Sequence, residues 1–261
     1  MIFNHPSIDP VIFSIGILEI RWYSLAYVLA FILGAYLIKV YNTKLNLISN
    51  KIIDDFFIWS IIGVIIGGRV GYVLFYQINN FFTNPVYIFY IWEGGMSFHG
   101  GLLGMIFSIL FFSKKHKVNF LYLADLVAIV APIGLFLGRI ANFINKELIG
   151  RVTDFPFAVT YPKLDNLPRH PSQLYESFFE GLLLFLILTL FFYLKYSNKN
   201  IGFLSGLFLF FYSIFRFCIE FLREPDSHIG LVFNLVTMGQ LLCIPLFFVS
   251  FILLIKKQNA K

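Results

Sequence analysis

GRIANFINKELIG, Gly138 to Gly150, closes the apolar run LYLADLVAIVAPIGLFL of residues 121–137, and that junction decides how the chain is read. About 20 mostly apolar residues suffice to span a bilayer as a helix. Arg139, Asn142, Asn145 and Glu147 crowd the end of this run. An ionisable group inside a span costs about 2.5–3.5 kcal/mol even on insertion scales, so its default reading is a functional site.

Working outward, the whole chain has the same character. It is 59% hydrophobic and 13% charged, with 34 Phe, whereas a soluble domain carries about 25% charged residues. The composition predicts an all-α, polytopic membrane protein forming one domain over 1–261. Seven segments are long enough to cross: about 17–38, 54–78, 96–113, 121–141, 173–194, 201–222 and 235–255. The third is the shortest and the richest in glycine.

Lysines and arginines orient these spans, because cytoplasmic loops carry the excess. Lys39, Lys44 and Lys51 follow span one, and Lys114, Lys115 and Lys117 follow span three. Lys195 and Lys199 follow span five; Lys256, Lys257 and Lys261 follow span seven. The loop 79–95 has neither Lys nor Arg. The alternation puts the N-terminus outside and the C-terminus in the cytoplasm. The 142–172 connection departs from it with Lys146, Arg151, Lys163 and Arg169, and with four prolines reads as a small external head. The net charge of +6 follows topology rather than nucleic acid, since no basic stripe stands outside the cytoplasmic loops. Met1 to Pro10 has no basic stretch and does not read as a cleaved signal peptide. Cys218 and Cys243 lie in apolar runs and read as small buried hydrophobes.

With this orientation and a rise of about 1.5 Å per residue, the polar residues fall at one level, the outer leaflet. Tyr23 opens span one, and Arg69 and Tyr72 lie in the outer half of span two. His99 is in the first turn of span three, and Arg139 and Asn142 end span four. Arg216 sits about two turns below the outer end of span six, with Glu220 and Arg223 above it on one helix face. Each has a structural alternative. Arg216 and Glu220 fit an intrahelical ion pair, Arg223 an interfacial snorkelling residue, and Arg69 a structural ion pair. Glu147 could cap, or pair with Arg139 or Arg151; His99 could be a satisfied core histidine. Asp125 could position span four or reach a distant polar partner. The glycines around Arg69 and His99 could serve close helix packing or leave room for a ligand. The cations weigh toward a site: Arg69, Arg139, Arg216 and Arg223 outnumber Glu147 and Glu220 at that depth, which implies an anion. Guanidinium is the preferred fork for phosphate, and the phosphate at that depth is a phospholipid head group.

GRIANFINKELIG resembles the signature of the bacterial prolipoprotein diacylglyceryl transferases. GGRVGYVLFY (67–76), HGGLLG with His99, RHPSQLYE (169–176) and FRFCIEFLREPD (215–226) follow that family's order, and the resemblance runs from RWYS (21–24) through span seven. It implies transfer of the diacylglyceryl group of phosphatidylglycerol to the lipobox cysteine thiol of a prolipoprotein signal peptide, in the inner (cytoplasmic) membrane of a bacterial cell. A thioether forms and glycerol 1-phosphate leaves, without metal or organic cofactor. Matching positions are Tyr23, His99, Arg139, Asn142, Glu147, Gly150, Arg216, Glu220 and Arg223, with the arginines at 139 and 216 essential in the family and the histidine important.

The chemistry is displacement at an sp3 carbon by sulfur. The thiol, with an ordinary pKa of about 8.5, must ionise. The departing phosphate gains negative charge, which preplaced guanidiniums bind better than the ground state. Arg139 and Arg216 are therefore assigned to the phosphate, with Tyr23, Asn142, Arg69 and Arg223 completing the lipid site and Glu147, Gly150 and Glu220 supporting it. His99 is either the base or a hydrogen-bonding group for the head group. Another phospholipid-consuming membrane transferase, or a lipid or anion transporter, remains the alternative; no repeat between the halves favours a transporter.

The loop charges predict that an impermeant thiol reagent modifies a cysteine placed at position 163, but not one at position 115, in intact cells. The reverse labelling pattern would overturn the orientation.

Overall fold

The computed structural model describes residues 2–16, 18–162, 164–197, 200–225, 231–232 and 235–255. Lys163, Lys199, Asp226, Lys256, Lys257 and Lys261, used above for topology or motif, lie outside the described residues. Helices dominate: α1 Trp22–Leu45, α2 Asn50–Tyr76, α3 Ile78–Thr83, α4 Phe98–His116 and α5 Phe120–Asn145. Then α6 Ser172–Glu176 runs through a π-helical stretch, Ser177–Leu183, into α7 Leu184–Lys195, followed by α8 Phe203–Ile219 and α9 Met238–Ile255. Among the described residues, five helical runs are long and apolar enough to cross a membrane: α1, α2, α5, the continuous Ser172–Lys195 and α9. The 19-residue α4 and 17-residue α8 correspond to the third and sixth expected spans. α7 shows why its residues suit this setting: Leu184, Leu188 and Phe192 are buried, while Leu186, Leu190 and Leu194 are exposed. The unburied stripe is as apolar as the buried one, as a lipid-facing helix requires.

Two edges differ from the sequence reading. Span one begins at Trp22 rather than 17, because Leu18–Arg21 (β3) pairs antiparallel with Val11–Ile15 (β2). Gly16, at φ +61, makes the turn, and the paired Glu19 and Arg21 flank Ile20 with strand alternation. Span six stops at Ile219, so Arg216 sits in its last turn rather than two turns inside. Glu220 and Arg223 lie on the turn and bridge beyond it, not on a continuing helix face.

The chain divides into two compact units. In the unit formed by 38–124, α2 and α4 pack through glycine. A Cβ on Gly67 would lie 2.4 Å from the Gly100 carbonyl oxygen, one on Gly104 2.0 Å from that of Gly63, and one on Gly71 2.8 Å from Gly100 Cα. These glycines serve close backbone approach, the first of the two roles open from sequence. Ser49 and Ser97 cap α2 and α4, accepting from Ile52 N–H (3.4 Å) and Gly100 N–H (3.3 Å). At the other end of the unit, Tyr122 Oη donates to Asn42 Oδ1 (2.5 Å), and Asn42 Nδ2 donates to the Ile48 carbonyl (2.8 Å).

The other unit comprises 1–37 and 125–260. Phe3–Asn4 (β1) pairs parallel with Val159–Thr160 (β4), which pairs antiparallel with Pro168–Arg169 (β5). The N-terminal residues and the 142–171 segment therefore share one side. Leu231–Val232 (β6) and Val236–Thr237 (β7) form a small hairpin before α9. Thr237 and Gln240 then cap α9 reciprocally, each side chain accepting from the other's backbone N–H at 3.1–3.2 Å. Asp125 is wholly buried at the N-terminus of α8. Its carboxylate accepts from Gly202 N–H (2.6 Å), Ser205 N–H and Oγ (2.7 Å each) and Tyr196 Oη (2.8 Å). This settles Asp125 as a structural anchor, and its charge suits a helix N-terminus.

The α2–α4 contact predicts that Gly67→Ala lowers stability by about 1–3 kcal/mol through overpacking. Gly34→Ala, whose Cβ would meet Val130 at an ordinary 3.7 Å, should be near neutral. Thermal midpoints in detergent compare the two; equal shifts would refute the close-packing account.

Candidate active site

A cluster of buried charge forms where α5, the α6–α7 run and the end of α8 meet. Glu176, the last residue of α6, and Glu180, in the π-helical stretch, are both 0% exposed. Arg139 Nε lies 3.0 Å from Glu176 Oε2, and its Nη2 lies 3.5 Å from Glu180 Oε2. Arg216 Nη1 contacts Glu176 Oε1 and lies 3.6 Å from Glu180 Oε1, while its Nη2 meets Glu220 Oε2 at 2.6 Å. Arg223 Nη1 stands 4.0 Å from Glu176 and 3.9 Å from Glu220. Gly181 seats the π-helical turn against α5: a Cβ there would be 2.6–2.9 Å from Phe136. Ser177 Oγ adds a hydrogen bond to the Phe136 carbonyl (3.1 Å). Such π segments recur at functional sites.

This geometry corrects the charge count read from sequence. Arg139, Arg216 and Arg223 face Glu176, Glu180 and Glu220, so among the described residues the cations here are matched rather than in surplus. Glu176 and Glu180 are not among the expected site residues, although their signal is in the sequence. Two acids four residues apart inside an apolar run satisfy the same criterion that singled out Arg139.

The outer rim is held by backbone. Gly150 bridges antiparallel to Arg223, Arg151 N–H donates to the Leu222 carbonyl (2.9 Å), and Glu224 N–H donates to that of Ile149 (3.1 Å). Gly150 is required by space: a Cβ would lie 2.2 Å from the His170 carbonyl oxygen. Arg169 Nη1 reaches the Gly150 carbonyl (3.0 Å) and Glu224 (2.9 Å). The guanidinium also bonds Asp165, holding that carboxyl below its ordinary range. Ser172 Oγ donates to the Leu148 carbonyl (2.9 Å) and Gln173 Nε2 to that of Glu147 (2.6 Å). Tyr161 Oη donates to Gln173 Oε1 (3.3 Å), and burial pushes that phenol up to about 12, so it remains a donor. RHPSQLYE is thus a clasp: Arg169, Ser172 and Gln173 grip 147–150 so that Glu176 meets the arginines. Asn142 Nδ2 and Asn145 Nδ2 donate to the exposed Glu147 carboxylate at 3.0 and 3.3 Å, so Glu147 pairs with these amides at the end of α5 rather than with Arg139 or Arg151. Tyr23, half-buried in the first turn of α1, leans on Tyr27 at 5.4 Å between ring centroids.

Arg69 and His99 belong to the 38–124 unit. Arg69 is 2% exposed, and its guanidinium donates to the carbonyls of Tyr87 (2.8 Å), Ile88 (3.2 Å), Gly94 (2.5 Å) and Gly95 (3.4 Å). It also lies 4.9 Å from the Tyr87 ring centroid. With every guanidinium nitrogen engaged, Arg69 reads as the anchor of the 85–95 loop and not as a lipid ligand. His99 is exposed in the first turn of α4, edge-on to Phe98. Among the described residues no group of three His, Cys, Asp or Glu could hold a metal ion.

A family model described as prolipoprotein diacylglyceryl transferase matches residues 10–256. A phosphatidylglycerol–prolipoprotein diacylglyceryl transferase of Rickettsia felis is 51% identical over 242 residues, covering 92% of this chain and 93% of its own. Proteins of the same name from Rickettsia bellii, 50% identical over 254 residues with 97% of both chains covered, and Rickettsia akari, 51% identical over 242 residues, are similar throughout.

The ion cluster predicts that Glu176→Ala destabilises the protein by about 3–5 kcal/mol, because two buried guanidiniums lose a shared partner. Glu147→Ala, at an exposed carboxylate, should cost under about 1 kcal/mol. Denaturation in detergent measures both, and comparable losses would reject the asymmetry.

Proposed function

The chain belongs to the prolipoprotein diacylglyceryl transferase family, and we propose that it moves the diacylglyceryl group of phosphatidylglycerol onto the thiol of a prolipoprotein's lipobox cysteine. A thioether forms and glycerol 1-phosphate is released. The observation that carries the site assignment is the pair of guanidiniums, Arg139 and Arg216, meeting over one buried carboxylate, Glu176. Two forks converging on one anionic group form a phosphate-sized receptor.

In this reading the head-group phosphate binds beside Arg139 and Arg216 while Glu176 and Glu220 keep hold of the guanidiniums. Sulfur attacks the glyceryl carbon, the C–O bond breaks, and the electron pair goes to the phosphate oxygen. Guanidiniums already oriented by Glu176 and Glu220 stabilise the charge as it grows. Arg223, Tyr23 and Asn142 complete the lipid site; Glu147 orients Asn142, and Gly150 lets the rim close over Arg223. Arg69 contributes by shaping its loop. His99 takes the thiol proton or hydrogen-bonds the head group. Cys218, exposed on α8 rather than buried as its apolar run suggests, and the buried Cys243 take no covalent part.

The 261 residues work as one transferase domain with seven spans, α4 and α8 supplying the two beyond the five long apolar runs. The N-terminus and the 142–171 head face outward, the C-terminus faces the cytoplasm, and the site opens to the outer leaflet of the bacterial inner membrane. The pairing of β1 with β4 supports placing the N-terminus and the head on one side.

Purified protein, phosphatidylglycerol and a lipobox peptide, followed by mass spectrometry, test the reaction; an unmodified peptide would reject it. Arg139→Lys and Arg216→Lys should each lower turnover about a hundredfold or more, since lysine keeps the charge but loses the fork. Near-native turnover in folded variants would reject the phosphate assignment. A His99→Ala defect relieved at alkaline pH would mark a base, and a constant one a positioning group.

A further inference from the structure

The match of charges in the cluster has a consequence for anion binding. With Arg139, Arg216 and Arg223 facing Glu176, Glu180 and Glu220, the fully ionised site is neutral among the described residues. A phosphodiester brings one negative charge into a place where both Glu176 and Glu180 are 0% exposed. An unbalanced charge is strongly disfavoured there. Either a carboxylate leaves, or a proton arrives.

The carboxylates are not equivalent. Glu176 is clamped by Arg139 at 3.0 Å and by Arg216. Glu220 is paired with Arg216 at 2.6 Å and lies against the first turn of α9, where a Cβ on Gly239 would come 2.9 Å from its carboxyl. Glu180 is held most loosely. Its nearest guanidinium nitrogens are 3.5 and 3.6 Å away, farther than the closest contacts of the other two acids. The other ionisable groups facing the cluster are Tyr212 on α8, Cys243 on α9 and, beside Arg139, Tyr27 on α1.

We propose that Glu180 is the charge-compensating residue of this site: phosphatidylglycerol binds together with one proton, and Glu180 carries it. The inference rests on the phosphate assignment above. Protonation turns Glu180 from an acceptor into a hydrogen-bond donor, suited to a phosphate oxygen and no longer competing for Arg139 and Arg216. When the C–O bond breaks, the phosphate gains a second negative charge and the Glu180 proton passes to it. Glycerol 1-phosphate then leaves as the monoanion, and Glu180 returns to carboxylate. The thiol proton departs separately, so charge and protons balance.

The test is binding of phosphatidylglycerol in detergent micelles to the full chain, by calorimetry in buffers of differing ionisation enthalpy. From about pH 6 to about pH 9, the wild type should take up about one proton per lipid, with Kd rising about tenfold per pH unit. Glu180→Gln should bind with no uptake and a flat pH profile, and His99→Ala should keep the uptake. Infrared difference spectra should show a protonated carboxyl band on binding, which Glu180→Asp shifts to the aspartic acid frequency. A wild type with no uptake and a flat profile would overturn the proposal, a result independent of how the variants fold. So would uptake lost in His99→Ala, or a band that Glu180→Asp leaves unmoved. Arg139→Lys and Arg216→Lys proteins that bind the lipid as well as the wild type would instead overturn the phosphate assignment beneath it.

Discussion

The charged cluster of α5, the α6–α7 run and α8 is arranged around one constraint: guanidinium groups held away from water must be matched by something. Arg139 and Arg216 are matched by Glu176 and Glu180, from a helix that composition alone would assign to plain spanning duty. A buried ion pair of this kind is weak evidence of stability, because desolvation costs several kcal/mol per ion. What the pairing supplies is direction. A guanidinium fork gripped by a carboxylate points one way and keeps its aim.

That arrangement explains why the surrounding loops are so heavily hydrogen-bonded through backbone. The 147–151 segment is gripped from one side by Ser172 and Gln173 and from the other by the strand-like 222–224. Arg223 is thereby turned inward, 7% exposed, although it lies past the end of α8. Glycine at 150 is the geometric condition for that closure. A site assembled from helix ends and tight loops gains precision where a span-buried site would rely on side-chain packing alone.

Much of this was legible in the sequence, and the failures are specific. Apolar length and lysine placement showed a helical membrane protein, because the bilayer forces those patterns on any chain. Arg139, Asn142, Arg216, Glu220 and Arg223 stand out in the sequence because charged and polar groups in apolar runs are conspicuous. Glu176 and Glu180 pair with cations carried by other spans, and no linear pattern reveals that pairing. Arg69 misled for the converse reason: its partners are the carbonyls of Tyr87, Ile88, Gly94 and Gly95, and backbone acceptors leave no trace in composition. The glycines between α2 and α4 were ambiguous until interhelical distances were known. The start of span one was misplaced because a hairpin rich in β-branched residues passes for apolar helix when only hydropathy is counted.

Asp125 caps the end of α8 opposite to the one that carries Arg216. From Ser205, which the carboxylate holds, to Arg216 is about 16 Å of unbroken helix. α8 is therefore a strut pinned at its foot, and the height at which it presents its guanidinium is set by a side chain that touches no part of the site. In a genetic screen for lost function, Asp125 would score beside the arginines. Proximity maps would miss it, and a suppressor would be sought more profitably at Tyr196 or Ser205 than near the lipid.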